Sequence, residues 1–88
     1  MKISISKPSQ EAVEKLNLTS WGTWECPPST FDWQYSDTET CYIIEGKAVV
    51  TTSDEEVEFS KGDLVVFPKG LSCTWKVVDH IKKYYNFG

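Results

Sequence analysis

The sequence predicts an all-β protein, an antiparallel β-barrel or jelly roll with one short N-terminal helix. Short runs rich in Val, Ile, Thr and aromatic residues follow one another from residue 21 to residue 86, and such residues favour strands. Gly, Pro, Asp and Ser stand between the runs, as turn residues do. The connections are short, so neighbouring strands are expected to pair antiparallel. A barrel or a double-sheet jelly roll limits the exposed edges that such strands would leave.

The first twenty residues contain the only predicted helix. From Met1 to Ile5 apolar and polar residues alternate, which predicts an edge strand. Lys7-Pro8-Ser9 then interrupts the pattern, and its serine is suited to cap the N-terminus of a helix. From Gln10 to Leu18 the apolar residues recur close to helical spacing, so we expect a helix of about two turns there.

Eight strands are predicted for the rest of the chain. They span Trp21 to Cys26, Phe31 to Tyr35, Glu39 to Glu45, Lys47 to Thr52, Glu56 to Phe59, Leu64 to Phe67, Cys73 to Val78 and Ile81 to Asn86. The predicted turns between them are centred on Gly46, Asp54, Gly62 and Lys69. At Gly46 the chain is expected to reverse tightly, because glycine accepts a positive φ.

Length and charge limit the classes of function. With 88 residues, 40% of them hydrophobic, the chain is expected to form a single domain spanning residues 1–88. Thirteen acidic against nine basic residues oppose the phosphate neutralisation that nucleic-acid binding needs, so no nucleic-acid partner is expected.

Hydropathy and cysteine usage predict the compartment. No apolar run approaches the ~20 residues that cross a bilayer, and no secretory leader pattern opens the chain, so a cytoplasmic protein without a membrane partner is expected. The three cysteines form no C-x-x-C pair and are odd in number, which favours reduced thiols.

Two spaced motifs carry a family resemblance. The first is Glu39-x6-Gly46, and the second is Gly62-x5-Pro68-x-Gly70-x2-Cys73. Their glycine spacing and their order resemble the two signature motifs of the cupin superfamily. Together with the segments at 21–26, 31–35, 39–46 and 62–70, the chain is similar to small single-domain cupins related to ureidoglycine aminohydrolase and ethanolamine-utilisation proteins. The resemblance implies a cupin jelly-roll barrel with an internal site, often built as a homodimer.

The resemblance also identifies where a metal site would lie. Many cupins hold a divalent metal with two histidines and a glutamate of the first motif and a histidine of the second, ligands that suit Mn, Fe, Ni or Zn. The matching positions here are Trp33, Tyr35, Glu39 and Cys73, or Asp32 and Gln34 for the first pair if the spacer is longer. Only the glutamate is retained, and His80, the single histidine, lies outside both motifs. No metal and no cofactor are therefore expected.

Period-two alternation predicts what faces the interior. If Glu39 points inward, the residues that share its face or the matching face of neighbouring strands form an aromatic cavity with one carboxylate and two thiols. The candidate ligand-binding residues are Trp33, Tyr35, Glu39, Cys41, Cys73 and Trp75. Alternatively the rings simply fill the barrel as core. Trp21, Trp24 and Tyr84 or Tyr85 are expected to pack in the sheet or in a dimer interface.

Glu39 is the candidate catalytic residue. A carboxylate in an apolar interior costs several kcal/mol unless it is hydrogen-bonded or protonated. It acts either as a general acid or base, or as a structural acid held by Tyr35 or a backbone amide.

Three functions remain open from the sequence. The first is a cupin that binds a small organic ligand in the barrel without a histidine-based metal site. The second is an isomerase or hydrolase that acts on a small nitrogen-containing metabolite, with or without a metal. The third is a structural module that forms a homodimer through an exposed edge strand.

Overall fold

The computed structural model describes all residues from Met1 to Gly88 and has seven strands in one antiparallel sheet. In chain order the elements are β1 (Ser4–Ser6), α1 (Gln10–Lys15), a 3₁₀ turn (Leu18–Ser20), β2 (Gly22–Cys26), β3 (Ser29–Gln34), β4 (Glu39–Thr51), β5 (Glu56–Ser60), β6 (Leu64–Phe67) and β7 (Ser72–Phe87). The predicted all-β class with one short helix is confirmed. None of the helices has the length and apolarity that crossing a bilayer requires.

Two long strands organise the sheet. β4 and β7 pair with each other along most of their length. The other edge of β4 is shared end to end by β6 and β5, and the other edge of β7 by β3 and β2. β1 pairs with β6 at the margin. Each long strand therefore pairs with the other long strand along one edge and with two short strands along its other edge.

The prediction of eight strands after residue 21 is wrong, because two predicted pairs merge into β4 and β7. The turn predicted at Gly46 does not reverse the chain; the β4–β7 register shifts there instead, as at a β-bulge. Gly46 has φ +86, and a Cβ on it would lie 2.1 Å from the carbonyl oxygen of His80. Glycine is needed at this position for close approach of two strands rather than for a hairpin.

The helix begins where the sequence predicts and ends earlier. Ser9 caps it, since its Oγ accepts a hydrogen bond from the backbone N–H of Ala12 at 3.2 Å. The helix ends at Lys15 rather than Leu18, because Asn17 takes a left-handed conformation with φ +55 that the chain cannot continue as a helix.

The core lies on the inward face of the two long strands. Along β4 the buried positions are odd-numbered before Gly46 and even-numbered after it, which is the signature of the bulge. Along β7 they stay odd-numbered throughout. The larger core side chains are Ile43, Val50, Phe59, Val65, Phe67, Trp75 and Ile81. Strand alternation therefore sets the interior, as the sequence predicts.

Candidate functional site

An aromatic pocket of about 220 Å³ opens on one side of the sheet. Its walls are the rings of Trp24, Phe31, Trp33, Trp75, Tyr85 and Phe87. The remaining lining residues are Tyr35, Glu39 and Lys83, of which Glu39 and Lys83 are charged. The pocket is apolar around its sides and charged at its floor.

Strand register brings these side chains together. β2 places Trp24 opposite Lys83 of β7, and β3 places Phe31 opposite Trp75 of the same strand. Residues directly opposite in an antiparallel pair have their side chains on one face within contact distance. Phe31 and Trp75 stack with ring planes 8° apart. The walls of the pocket are thus cross-strand pairs along a single long strand.

The floor of the pocket is a buried ion pair. Glu39 is 3% exposed, and one of its oxygens accepts a hydrogen bond from Lys83 Nζ at 2.8 Å. The other oxygen accepts one from the Tyr35 hydroxyl at 2.7 Å. Two charges taken out of water cost several kcal/mol each unless they compensate one another with good geometry. Here both carboxylate oxygens are satisfied, so the charge is tolerated.

Lys83 is held from the sides by aromatic faces. The residue is 5% exposed, and its Nζ lies 4.9 Å from the ring centroid of Trp24 and 4.6 Å from that of Trp75. An ammonium within about 6 Å of a ring centroid is attracted by the negative face of the ring. The lysine is therefore fixed by a carboxylate and two indoles.

Tyr35 is positioned through its backbone. Its N–H donates to the carbonyl of Leu71, and its own carbonyl accepts from the N–H of Gly70. Burial, and next the neighbouring charge of Glu39, raise the pKa of the Tyr35 phenol well above its ordinary range. The hydroxyl consequently keeps its proton and serves as a hydrogen-bond donor to the carboxylate.

Four of the six candidate ligand-binding residues line the pocket: Trp33, Tyr35, Glu39 and Trp75. The two thiols do not. Cys41 is completely buried, and burial raises its pKa to about 12. Cys73 instead borders a second, polar depression of about 700 Å³ between β3, β7 and the β4–β5 hairpin. Burial, followed by the charges of Glu39 and Asp32, raises the pKa of the Cys73 thiol. All three cysteines are free.

Lys83 is the residue that sequence reasoning missed. The candidate residues from this part of the chain are Cys73 and Trp75, whereas the buried positions of β7 extend to Ile81 and Lys83. Extending the period-two rule along the strand would have found the lysine. Trp24 and Tyr85, expected as sheet or interface aromatics, line the pocket as well.

The interpretation of Glu39 as a structural acid predicts a contact with Tyr35, and the Tyr35 hydroxyl donates a hydrogen bond to the Glu39 carboxylate. The backbone amide considered as an alternative is replaced by an ammonium. A catalytic role for Glu39 remains a prediction.

The residues at the cupin metal positions do not fit a divalent ion. No group of three or more His, Cys, Asp or Glu side chains converges anywhere in the structure. Both oxygens of Glu39 are engaged, and the Tyr35 phenol keeps its proton. Cys73 faces another depression, and His80 pairs with Glu25 on the surface at 2.9 Å. The donor set lacks the imidazoles and the free carboxylate that such a metal prefers.

Comparisons with known proteins agree with this architecture. A family model described as the EutQ-like cupin domain matches residues 13–85. Over 73 residues the chain is 31% identical to a protein named acetate kinase EutQ from Clostridioides difficile strain 630, covering 83% of this chain and 46% of that protein. The chain thus spans about half the length of this relative.

Solved structures give the same result. A DUF861 family protein from Thermotoga maritima superposes with a TM-score of 0.96 at 48% identity, covering 99% of this chain and 100% of that one. The Clostridium difficile EutQ protein superposes with a TM-score of 0.70 at 30% identity, covering 75% and 52%. The predicted cupin jelly-roll fold is confirmed. The chain belongs to the EutQ-like cupin domain family.

Proposed function

We propose that this chain binds a small organic molecule with a flat apolar body in the aromatic pocket, without a divalent metal. The observation that carries the proposal is an open pocket walled by six rings over a buried polar floor. Ligand sites are typically concave and apolar with a few convergent polar groups. At about 220 Å³ the pocket lies below the roughly 300–1,000 Å³ of drug-sized sites, which favours a ligand of a single ring.

Exposure of the rings argues against a purely structural role for them. Trp33 is 50% exposed, and Trp24 and Phe31 are only partly buried. Among the wall rings only Trp75 belongs to the core, where it packs against Phe59. Covering apolar surface that is otherwise in contact with water contributes a favourable free energy of about 25 cal/mol per Å². A flat ligand would cover the rings that the core leaves open.

The enzyme and homodimer hypotheses remain predictions with weaker support. Each oxygen of Glu39 already accepts one hydrogen bond, from Tyr35 or from Lys83, so a proton taken from a substrate would have to use a remaining lone pair. The kinase activity in the name of the C. difficile relative belongs to that longer protein. The chain spans 46% of that protein, and the single cation in the pocket is already paired with a carboxylate.

Indole N–H signals in a ¹H–¹⁵N NMR spectrum provide the test. Three of the four tryptophans, Trp24, Trp33 and Trp75, line the pocket, and Trp21 does not. Benzyl alcohol, a single-ring probe, is expected to shift the three pocket signals saturably and to leave that of Trp21 unchanged. The variant Trp21→Phe assigns the fourth signal.

A matched pair of variants locates the binding. Trp33→Ala removes a half-exposed wall and is expected to weaken probe binding about tenfold, by the ~1.4 kcal/mol that corresponds to lost ring contact. Trp21→Phe is expected to leave affinity unchanged. Equal shifts of all four indoles, or no saturable shift, would refute pocket binding.

A further inference from the structure

We infer that the Lys83 ammonium is the group that selects the ligand, and that it selects a neutral planar molecule carrying a carbonyl oxygen, such as an aromatic amide or lactam. The inference rests on the proposed function and specifies the chemical class that the pocket accepts. It concerns a residue outside both cupin motifs.

Lys83 has more hydrogen-bond donors than the protein uses. A lysine ammonium has three N–H groups and no acceptor. Its single hydrogen bond in the structure goes to Glu39. The nearby Trp24 and Trp75 offer ring faces, which attract the charge but do not replace a carbonyl acceptor. At 5% exposure Lys83 has little access to water, so donor capacity remains for a ligand oxygen.

The pocket lining has no net charge. Glu39 and Lys83 are its only charged members, and they compensate each other. A ligand carboxylate would add a second negative charge beside Glu39. A ligand ammonium would meet the positive charge of Lys83 and compete with it for the same carboxylate. A neutral acceptor uses the free donors without either penalty.

Lys83 is the cation that contacts Glu39. Glu39 is the one member of the cupin metal set that the chain retains, and the group bound to it is the chain's own ammonium at 2.8 Å. An ammonium offers hydrogen-bond donors, whereas a metal offers open coordination positions. Recognition by Lys83 therefore favours a carbonyl acceptor over a chelating ligand.

Four probes of matched shape test the inference: benzamide, benzoate, benzylamine and toluene, each titrated against the pocket indole signals of the unmodified protein. Benzamide is expected to bind about tenfold or more tighter than toluene, because a hydrogen bond to a charged donor adds to ring contact. Benzoate is expected to bind less tightly than benzamide, and benzylamine least tightly of the three polar probes.

The matched control is a variant protein whose pocket floor carries no charged side chain. The double variant Glu39→Gln/Lys83→Met removes both charges together and leaves no carboxylate unpaired. It is expected to lose the preference for benzamide over toluene, which is measured as the ratio of the two affinities. If this variant does not fold, the order of the four probes on the unmodified protein decides alone.

The outcomes separate the two proposals. If all four probes bind equally, or if benzoate or benzylamine binds best, the pocket binds rings but Lys83 does not select a neutral carbonyl, and the inference fails while the proposed function stands. If no probe binds, both fail.

Discussion

Glu39 accepts hydrogen bonds from two donors of different kind. The Tyr35 hydroxyl is neutral, whereas the Lys83 ammonium compensates the charge of the carboxylate. Removing one partner of a buried ion pair leaves an uncompensated charge in the interior, which costs more than the pair itself contributes. The position of this lysine therefore affects the stability of the barrel as well as its ligand chemistry.

Lys83→Met is expected to lower the free energy of unfolding by about 3–5 kcal/mol, because Glu39 is left buried without its counter-charge. Urea denaturation followed by tryptophan fluorescence measures it. A control of similar geometry is Lys47→Met, which removes an ion pair with Glu58 of 2.7 Å on the exposed surface. Solvent screens that pair, so only a small change is expected. Equal losses in the two variants would contradict a special cost at the pocket floor.

Among the elements, β4 shows how far pattern reasoning reaches. Alternation predicts that Glu39 and Cys41 share an inward face, and both are buried. The sequence also predicts a turn at Gly46. A glycine with positive φ serves a turn and a bulge equally well. Only the approach of the β7 backbone at His80 distinguishes the two.

Gly46→Ala is expected to destabilise the protein severely, because the new Cβ would meet the His80 carbonyl at 2.1 Å and the backbone would also have to hold φ +86. Gly62→Ala is the control: its φ is +91, but the nearest atom is the flexible Lys7 Nζ at 3.4 Å. The control should cost only the roughly 1–2 kcal/mol of a left-handed conformation. Thermal unfolding of the two variants compares them. Similar melting temperatures would show that β4 and β7 are not packed so closely at the bulge.

The fold as a whole buries two ionisable groups in their protonated form, the thiol of Cys41 and the phenol of Tyr35. Burial raises the pKa of Cys41 from its ordinary 9.0 to about 12, against a smaller opposing effect of Lys83 and a reinforcing one of Glu39. Burial likewise raises the pKa of Tyr35. Folded molecules therefore retain these protons at a pH where unfolded chains lose them.

Stability is expected to fall as pH rises from about 9 towards 12. In that window the thiol of the unfolded chain ionises while that of Cys41 stays protonated, so the unfolded state binds fewer protons and the free energy of unfolding decreases. Below about pH 9 the contribution is fully present. Urea midpoints at about pH 8 and about pH 10.5 measure the slope. Cys41→Ala should make the slope less steep without abolishing it, because the pKa of the buried Tyr35 phenol is also raised. An unchanged slope would contradict the assignment to this thiol.

Local chemistry in the chain was sufficient for the family, the strand-rich class, the Ser9 cap and the inward position of Glu39. Each of these depends on neighbours in sequence or on a spaced motif, and strand period and turn preference act over a few residues. Tertiary structure alone decided that Lys83, 44 residues away, pairs with Glu39, and that the buried Cys41 does not line the pocket. Alternation tells which face a side chain takes, but the group that meets it across the interior is set by how β4 and β7 register and bend.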